Sequence, residues 1–387
     1  MNSASRRAGS FTESVIREMS RVAAAHGAIN LAQGFPDFPM PAPMKNAACA
    51  AIHGDVNQYA ITWGSAALRL AIAEKYRRWY DFPVNPETDV TVTCGATEAM
   101  AATFLALVDP GDEVIVFEPY YENYGPDAIL ADATPVFVPL EPPDWRLDPE
   151  RLRRAFSART KAVVVNTPHN PTGRVFTREE VGLIAELCLE FDVPYVFTDE
   201  IYEHIRYAGG HHLIAALPGM RERTVTISGL SKTFSCTGWR LGYAVAPERA
   251  TQAIRKVHDF LTVGAPAPLQ AAGAVGMAFD AEYYNQMALE YRARRDFLTS
   301  ALREAGFRFS LPEGAYYVLA DFSALSDRND TEFALWLAAE GGIATVPGSS
   351  FYHDKSVGRS LVRFAFCKTQ RTLEQAADRL AALAKLV

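Results

Sequence analysis

Thr224-Val225-Thr226-Ile227-Ser228-Gly229-Leu230-Ser231-Lys232-Thr233-Phe234 is the stretch that decides the fold. A short β-branched run stops at a glycine, and a lone lysine follows between two hydroxyl residues. Six more short runs of this kind flank it, at 90–93, 114–118, 136–140, 162–166, 195–199 and 242–246, separated by segments of helical period. The clearest helix start lies after 166. Thr177 and Glu180 make a capping box, and Val181, Ile184, Ala185, Cys188 and Phe191 follow at helical spacing. Seven strands alternating with helices predict an α/β fold: a large domain with a mostly parallel seven-stranded sheet, covered by helices on both faces.

The flanks have a different texture. Near the start, Val15, Ile16, Met19, Val22 and Ala23 share one helical face, with Gly27 as the stop. A proline-studded stretch, 34–43, reads as loop. After about residue 280 come a long helix at 282–305, an α+β tail and an amphipathic segment at 373–386. The expected division is a large domain at 41–280 and a smaller α+β domain made of 1–40 and 281–387. The stretch 264–268 is a candidate hinge or interface loop.

Composition narrows the function. With 387 residues, 49% hydrophobic and 21% charged, the chain can bury a large core. Its formal net charge of −7 leaves no overall basic footprint for nucleic acid or an anionic membrane. No apolar stretch approaches the roughly 20 residues of a membrane span, and residues 1–10 lack the apolar core of a secretory signal. Five scattered cysteines, none in a CxxC pair, suit a reducing cytoplasm and give no zinc-site spacing. No metal ligands are expected.

Open parallel sheets bind ligands at the carboxyl ends of their strands, and the unusual residues fall there. The 90–93 run leads into Cys94-Gly95-Ala96-Thr97 and at once a helix, a turn able to offer backbone amides to a phosphate. The 114–118 run meets Pro119-Tyr120-Tyr121; the 162–166 run meets Thr167-Pro168-His169-Asn170-Pro171-Thr172-Gly173, a rigid loop around one amide. At 195–199 the run ends in Asp199-Glu200-Ile201-Tyr202, and Lys232 is followed by Gly238-Trp239-Arg240. Each has an ordinary explanation alone: helix capping, core aromatics, turn chemistry or a solvated charge. Together they have one chemical meaning. A partly desolvated amine, a carboxylate against a heteroaromatic nitrogen, an anion cradle and an aromatic platform suit pyridoxal phosphate.

The motifs Gly34-Phe35-Pro36-Asp37-Phe38, Asn170-Pro171-Thr172-Gly173, Asp199-Glu200-Ile201-Tyr202, Ser231-Lys232-Thr233-Phe234 and Arg363-Phe364 resemble the class I aminotransferases of fold type I. The likeness is greatest to the branch holding kynurenine, glutamine, methionine and acyl-diaminopimelate aminotransferases, and it spans residue 11 to the C-terminus. The resemblance implies that Lys232 is the Schiff-base lysine, Asp199 the partner of the pyridinium nitrogen, and Asn170 and Tyr202 the partners of the ring hydroxyl. It implies that Tyr121 stacks on the ring, that Gly95, Ala96, Thr97 and Arg240 hold the phosphate, and that Tyr59 reaches the phosphate of a neighbouring subunit. Arg363 would clamp the substrate α-carboxylate, with Gly34 and Asn170 beside it.

Gly229 stands where the family usually has a phosphate-binding serine, and Ile16 stands near a tryptophan of the kynurenine-type enzymes. Trp63 is expected near the pocket mouth, where its bulk would narrow it. The expected activity moves an α-amino group from a large neutral or aromatic L-amino acid to a 2-oxo acid, with Phe35, Tyr59, Trp63, Tyr121 and Tyr316 around the side chain. A carbon–sulfur β-lyase is the alternative. An effector-sensing module fused to a DNA-binding domain is disfavoured, because about 30 residues precede Gly34. A homodimer with shared sites is expected, as are cis peptides at Asn170-Pro171 and Glu118-Pro119.

Overall fold

The computed structural model describes residue 5 and residues 7–383. Seven strands form one sheet: β2 (Val90–Thr93), β3 (Glu113–Glu118), β4 (Thr134–Pro139), β5 (Thr160–Asn166), β6 (Tyr195–Asp199), β7 (Thr224–Gly229) and β8 (Gly242–Val245). Their order is β2-β8-β7-β6-β5-β3-β4. Only β8 runs against its neighbours; the other pairings are parallel. All seven runs read from the sequence are strands of this sheet, shifted by at most two residues at an end.

The pleat explains their continuous apolar character. Successive strand residues point to opposite faces: Val163 and Val165 of β5 join one core with Ile115 and Phe117 of β3. Ala162 and Val164 join a second core with Val114 and Val116. Each fully buried valine contributes about 1.5–3 kcal/mol of burial, so both faces must be covered.

The capping box at Thr177 is present and opens the helix Arg178–Glu190. The first helix, α1 (Val15–His26), ends as expected at Gly27, in the left-handed region at φ 58°. The proline-rich loop is shorter than read: α2 (Ala42–His53) begins inside it. Pro43 sits in that helix's first turn, where its missing N–H costs nothing. After α2 come α3 (Ala66–Tyr80), α4 (Ala96–Leu107) and α5 (Tyr124–Leu130).

A smaller antiparallel sheet joins β11 (Val346–Pro347), β12 (Leu361–Ala365) and β9 (Tyr317–Asp321). The N-terminal β1 (Ile29–Asn30) pairs with β10 (Ile343–Ala344), so the segment carrying Gly34 hangs from the C-terminal part of the chain. The terminal helix is Gln370–Leu383; positions 384–386 of the expected segment lie outside the described residues. Asn170-Pro171 and Glu118-Pro119 are cis, as are Pro142-Pro143 and Thr167-Pro168. Among the described residues no helix is long and apolar enough to cross a membrane.

Candidate active site

Because β2, β3, β5, β6 and β7 all run the same way, their carboxyl ends meet at one edge of the sheet. A cavity of about 450 Å³ opens there, walled opposite by α1, the Gly34 loop, Tyr317 and Arg363. Of the residues expected to form the site, Gly34, Ala96, Thr97, Tyr121, Asn170, Asp199, Tyr202, Lys232, Arg240 and Arg363 line it.

An anion cradle occupies one end. Gly95 is the N-cap of α4 at φ 88°, and a Cβ there would lie 2.3 Å from an Arg240 nitrogen. Only glycine lets the guanidinium come this close. The first-turn amides of α4, at Ala96 and Thr97, have no intrahelical acceptors. Ser231, Thr237 and Arg240 complete the wall, which suits a phosphate dianion. Gly229 leaves no gap: a Cβ there would meet the Leu241 carbonyl at 2.9 Å, within packed chain. Ser228 turns away to Glu203 at 2.8 Å, so of the two serines flanking Gly229 it is Ser231 that lines the cavity.

The carboxylate end is built at the tips of β5 and β6. Asp199 accepts hydrogen bonds from the Tyr124 hydroxyl at 2.7 Å and the Ile201 amide at 3.3 Å. Burial pushes its carboxyl above the ordinary range, while those bonds and Lys232 pull it back. The Asn166 amide donates to the Asp199 carbonyl at 2.9 Å, and its side-chain oxygen accepts from the Asn170 N–H at 2.8 Å. One side chain thereby sets two strand tips.

Lys232 lies in the connection between β7 and β8. Its Nζ donates to the Gly34 carbonyl at 3.3 Å and has no carboxylate partner among the described residues. Burial pushes the ammonium down to about 8; Cys367 and Asp199 oppose this, Arg240 and Arg363 add to it. A fraction of the amine is therefore neutral near pH 7, which a nucleophile requires.

Arg363, on β12, is fully buried rather than solvated as strand position alone suggests. It donates to the Asn170 side-chain oxygen at 2.7 Å and the Ala32 carbonyl at 2.9 Å, 4.2 Å from the Tyr317 ring centre. Its Nε has no partner among the described residues, and leaving it so is costly. Tyr202 and Tyr317 share a hydrogen bond at 3.0 Å. A Cβ on Gly34 would overlap the Tyr317 hydroxyl at 2.0 Å, so any larger residue there would push the Tyr317 ring out of place.

Tyr59 lies outside the cavity of one chain, 87% exposed and free to reach a neighbouring subunit. Two expectations change. Trp63 packs beneath Arg255, 4.8 Å from ring centre to guanidinium, and does not narrow the mouth. Tyr316 sits behind the wall, bonded to the Gly34 carbonyl at 2.9 Å; Tyr317, the next residue, faces in. Sequence reasoning missed Tyr124, Asn166, Tyr317 and Arg17. Asn166 had a signal, a polar residue closing an apolar strand, and Tyr124 extends an aromatic run already noted. Arg17 had none.

An open α/β sheet that brings an amine, a carboxylate and an anion cradle to one edge is the plan of the fold type I pyridoxal-phosphate enzymes, and the residues present fit that cofactor. The chain belongs to the family "Aminotransferase class I and II", whose model matches residues 26–380. It is 42% identical to the probable N-succinyldiaminopimelate aminotransferase of Mycobacterium tuberculosis, over 97% of each chain. It is 40% identical to the methionine aminotransferase of Escherichia coli, over 95% of each. The solved structure of the mycobacterial N-succinyldiaminopimelate aminotransferase superposes with a TM-score of 0.95, covering 98% of this chain and 100% of that one. The protein is a pyridoxal-phosphate-dependent aminotransferase that moves an amino group between an amino acid and a 2-oxo acid; nothing found supports the lyase alternative.

Proposed function

We propose that the donors are L-amino acids with large neutral or aromatic side chains. One observation carries this: the cavity holds a single fully buried guanidinium, Arg363, while its other walls include Ile16, Phe35 and Tyr121. Arg363 accounts for the α-carboxylate. A second carboxylate pressed against those apolar walls would cost several kcal/mol. The methionine aminotransferase relative supports the reading. The test is kcat/KM for methionine or phenylalanine against aspartate. At least tenfold in favour of the large donors is expected; a tenfold preference for aspartate would overturn the reading.

The residue roles follow the same logic. When bound, the cofactor supplies an aldehyde to accept the amino group and a ring that withdraws charge from the donor Cα. Lys232 would hold that aldehyde, and its Nζ is the group placed to move the proton at the donor Cα. Asp199 keeps the ring nitrogen protonated, with Tyr124 fixing the carboxylate. Asn170 and Tyr202 would donate to the ring hydroxyl, Tyr121 would cover the ring face, and Gly95, Ala96, Thr97 and Arg240 would seat the phosphate.

Two chains would share their sites. Tyr59 and Phe260, 87% and 92% exposed, lie on neighbouring segments joined by the Thr62–Asp259 bond at 3.3 Å and the His258 contact to the Thr62 carbonyl at 2.9 Å. An exposed apolar patch of this kind fits a second copy, bringing Tyr59 to the partner's phosphate. Sedimentation showing a fully active single chain would remove this. Five free cysteines are compatible with the cytoplasm, and 41–280 and the remainder serve as the large and small domains.

A further inference from the structure

Three guanidinium groups line the cavity, and two are engaged. Arg363 holds Asn170 and Ala32; Arg240 donates to the Thr237 carbonyl at 2.9 Å. Arg17, on the first turn of α1, forms no side-chain hydrogen bond or ion pair among the described residues. Glu13, which precedes the helix and feels the Arg17 charge, is gripped by both terminal nitrogens of Arg21, at 2.7 and 2.9 Å.

The helix presenting Arg17 is held firmly. Glu122, next to Tyr121, accepts from the Ser14 hydroxyl at 2.6 Å and the Ile16 amide at 3.3 Å. A carboxylate at a helix N-terminus also complements the helix dipole. One turn on, the Ser20 hydroxyl donates to the Gln33 side chain at 2.8 Å and accepts from Asn30 at 3.2 Å. Both oxygens of Glu122 are occupied by Ser14 and Ile16, so among the described residues Arg17 keeps a through-space attraction to Glu13 but no bonded carboxylate at the cavity mouth.

We infer that Arg17 binds the distal carboxylate of an extended 2-oxo dicarboxylic acid, the amino acceptor. The argument rests on the donor reading above and deepens it. Arg363 is fully buried at the floor and Arg17 is exposed at the rim, so one substrate meets both only with carboxylates at its two ends. A large neutral donor leaves Arg17 in water at little cost, because the group is already solvated. The same cavity therefore takes neutral donors and dianionic acceptors. Aspartate, whose second carboxylate follows its Cα by one methylene, stays among the apolar walls.

The test uses holoenzyme, methionine as donor, and two acceptors of similar length: 2-oxoglutarate and the neutral 2-oxohexanoate. R17Q is expected to raise KM for 2-oxoglutarate roughly three- to tenfold, the scale of an exposed charge-assisted contact. KM for 2-oxohexanoate and kcat with either acceptor stay unchanged. R17K recovers part of the loss, and added salt erodes the wild-type preference for the dianion. An equal change with both acceptors, which a structural role for α1 would give, overturns the inference, as does no change with either. The donor reading fails separately, in the methionine-to-aspartate ratio.

Discussion

Two lysines, Lys75 and Lys232, lose much of their solvation in the fold, and they have opposite fates. Lys75, on α3, is 1% exposed and bonded to the Glu203 carboxylate and, at 3.2 Å, the Tyr243 hydroxyl. Burial works against its charge, but Glu203 and its neighbours outweigh that and raise its pKa. Lys232, half-buried at the cavity wall, is also desolvated but has only a carbonyl as hydrogen-bond partner, and its pKa falls to about 8. Burying a lysine does not by itself make a nucleophile; withholding the carboxylate does. Asp199, whose charge Lys232 feels, is already engaged by Tyr124. Glu203, Glu200 and His211 offer ligand atoms within 4.8 Å of one another, and the Lys75 ammonium supplies the cation there.

The comparison breaks most sharply in kinetics. Lys232→Ala should lower kcat by at least roughly 10²–10⁴-fold, the usual contribution of a positioned proton carrier, with stability hardly changed. Near-normal turnover would mean that another amine does the work. Lys75→Met should do the reverse, costing about 3–5 kcal/mol of stability because Glu203 is left buried and unpaired, while kcat holds. Urea unfolding and steady-state rates read both, and a second change, Glu203→Gln, should recover part of the loss in the Lys75 variant. A Lys75→Met enzyme as stable as wild type would show that the pair is not needed.

The smallest expected effect is in titration. In cofactor-free enzyme, amine modification of Lys232 should be half-maximal near pH 8, while Lys75 stays unreactive until the protein unfolds. Since the folded value lies below the ordinary 10.5, the unfolded chain holds more protons between about pH 8 and 10.5. Stability of the cofactor-free form therefore rises with pH across that window. A Lys232 midpoint near 10.5 would erase the contrast.

Much of this was legible in the sequence, for identifiable reasons. Strands covered on both faces write continuous apolar runs, so the seven strands and their ends could be read, and with them Lys232, Asp199 and Asn170. Arg363 could not be separated from a solvated charge by position, because its burial depends on Tyr317, Phe351 and Asn170, which are distant in the chain. Tyr316 was preferred to Tyr317 because adjacent tyrosines give no sign of which faces inward. Arg17 and Trp63 depend on how α1 and the 59–63 segment lie against the sheet, a matter of tertiary packing that local pattern does not record. Lys75 shows the same limit, since its partner Glu203 is 128 residues away.

The most direct test of the central claim, that Lys232 and not another lysine carries the cofactor, is borohydride reduction of the holoenzyme followed by peptide mapping. A single pyridoxyl-modified peptide containing Lys232 is expected, absent from Lys232→Ala, with none at Lys75 or at Lys368, a buried lysine whose Nζ donates to the Phe35 carbonyl at 2.9 Å. Modification centred on any other lysine in the native enzyme would contradict it.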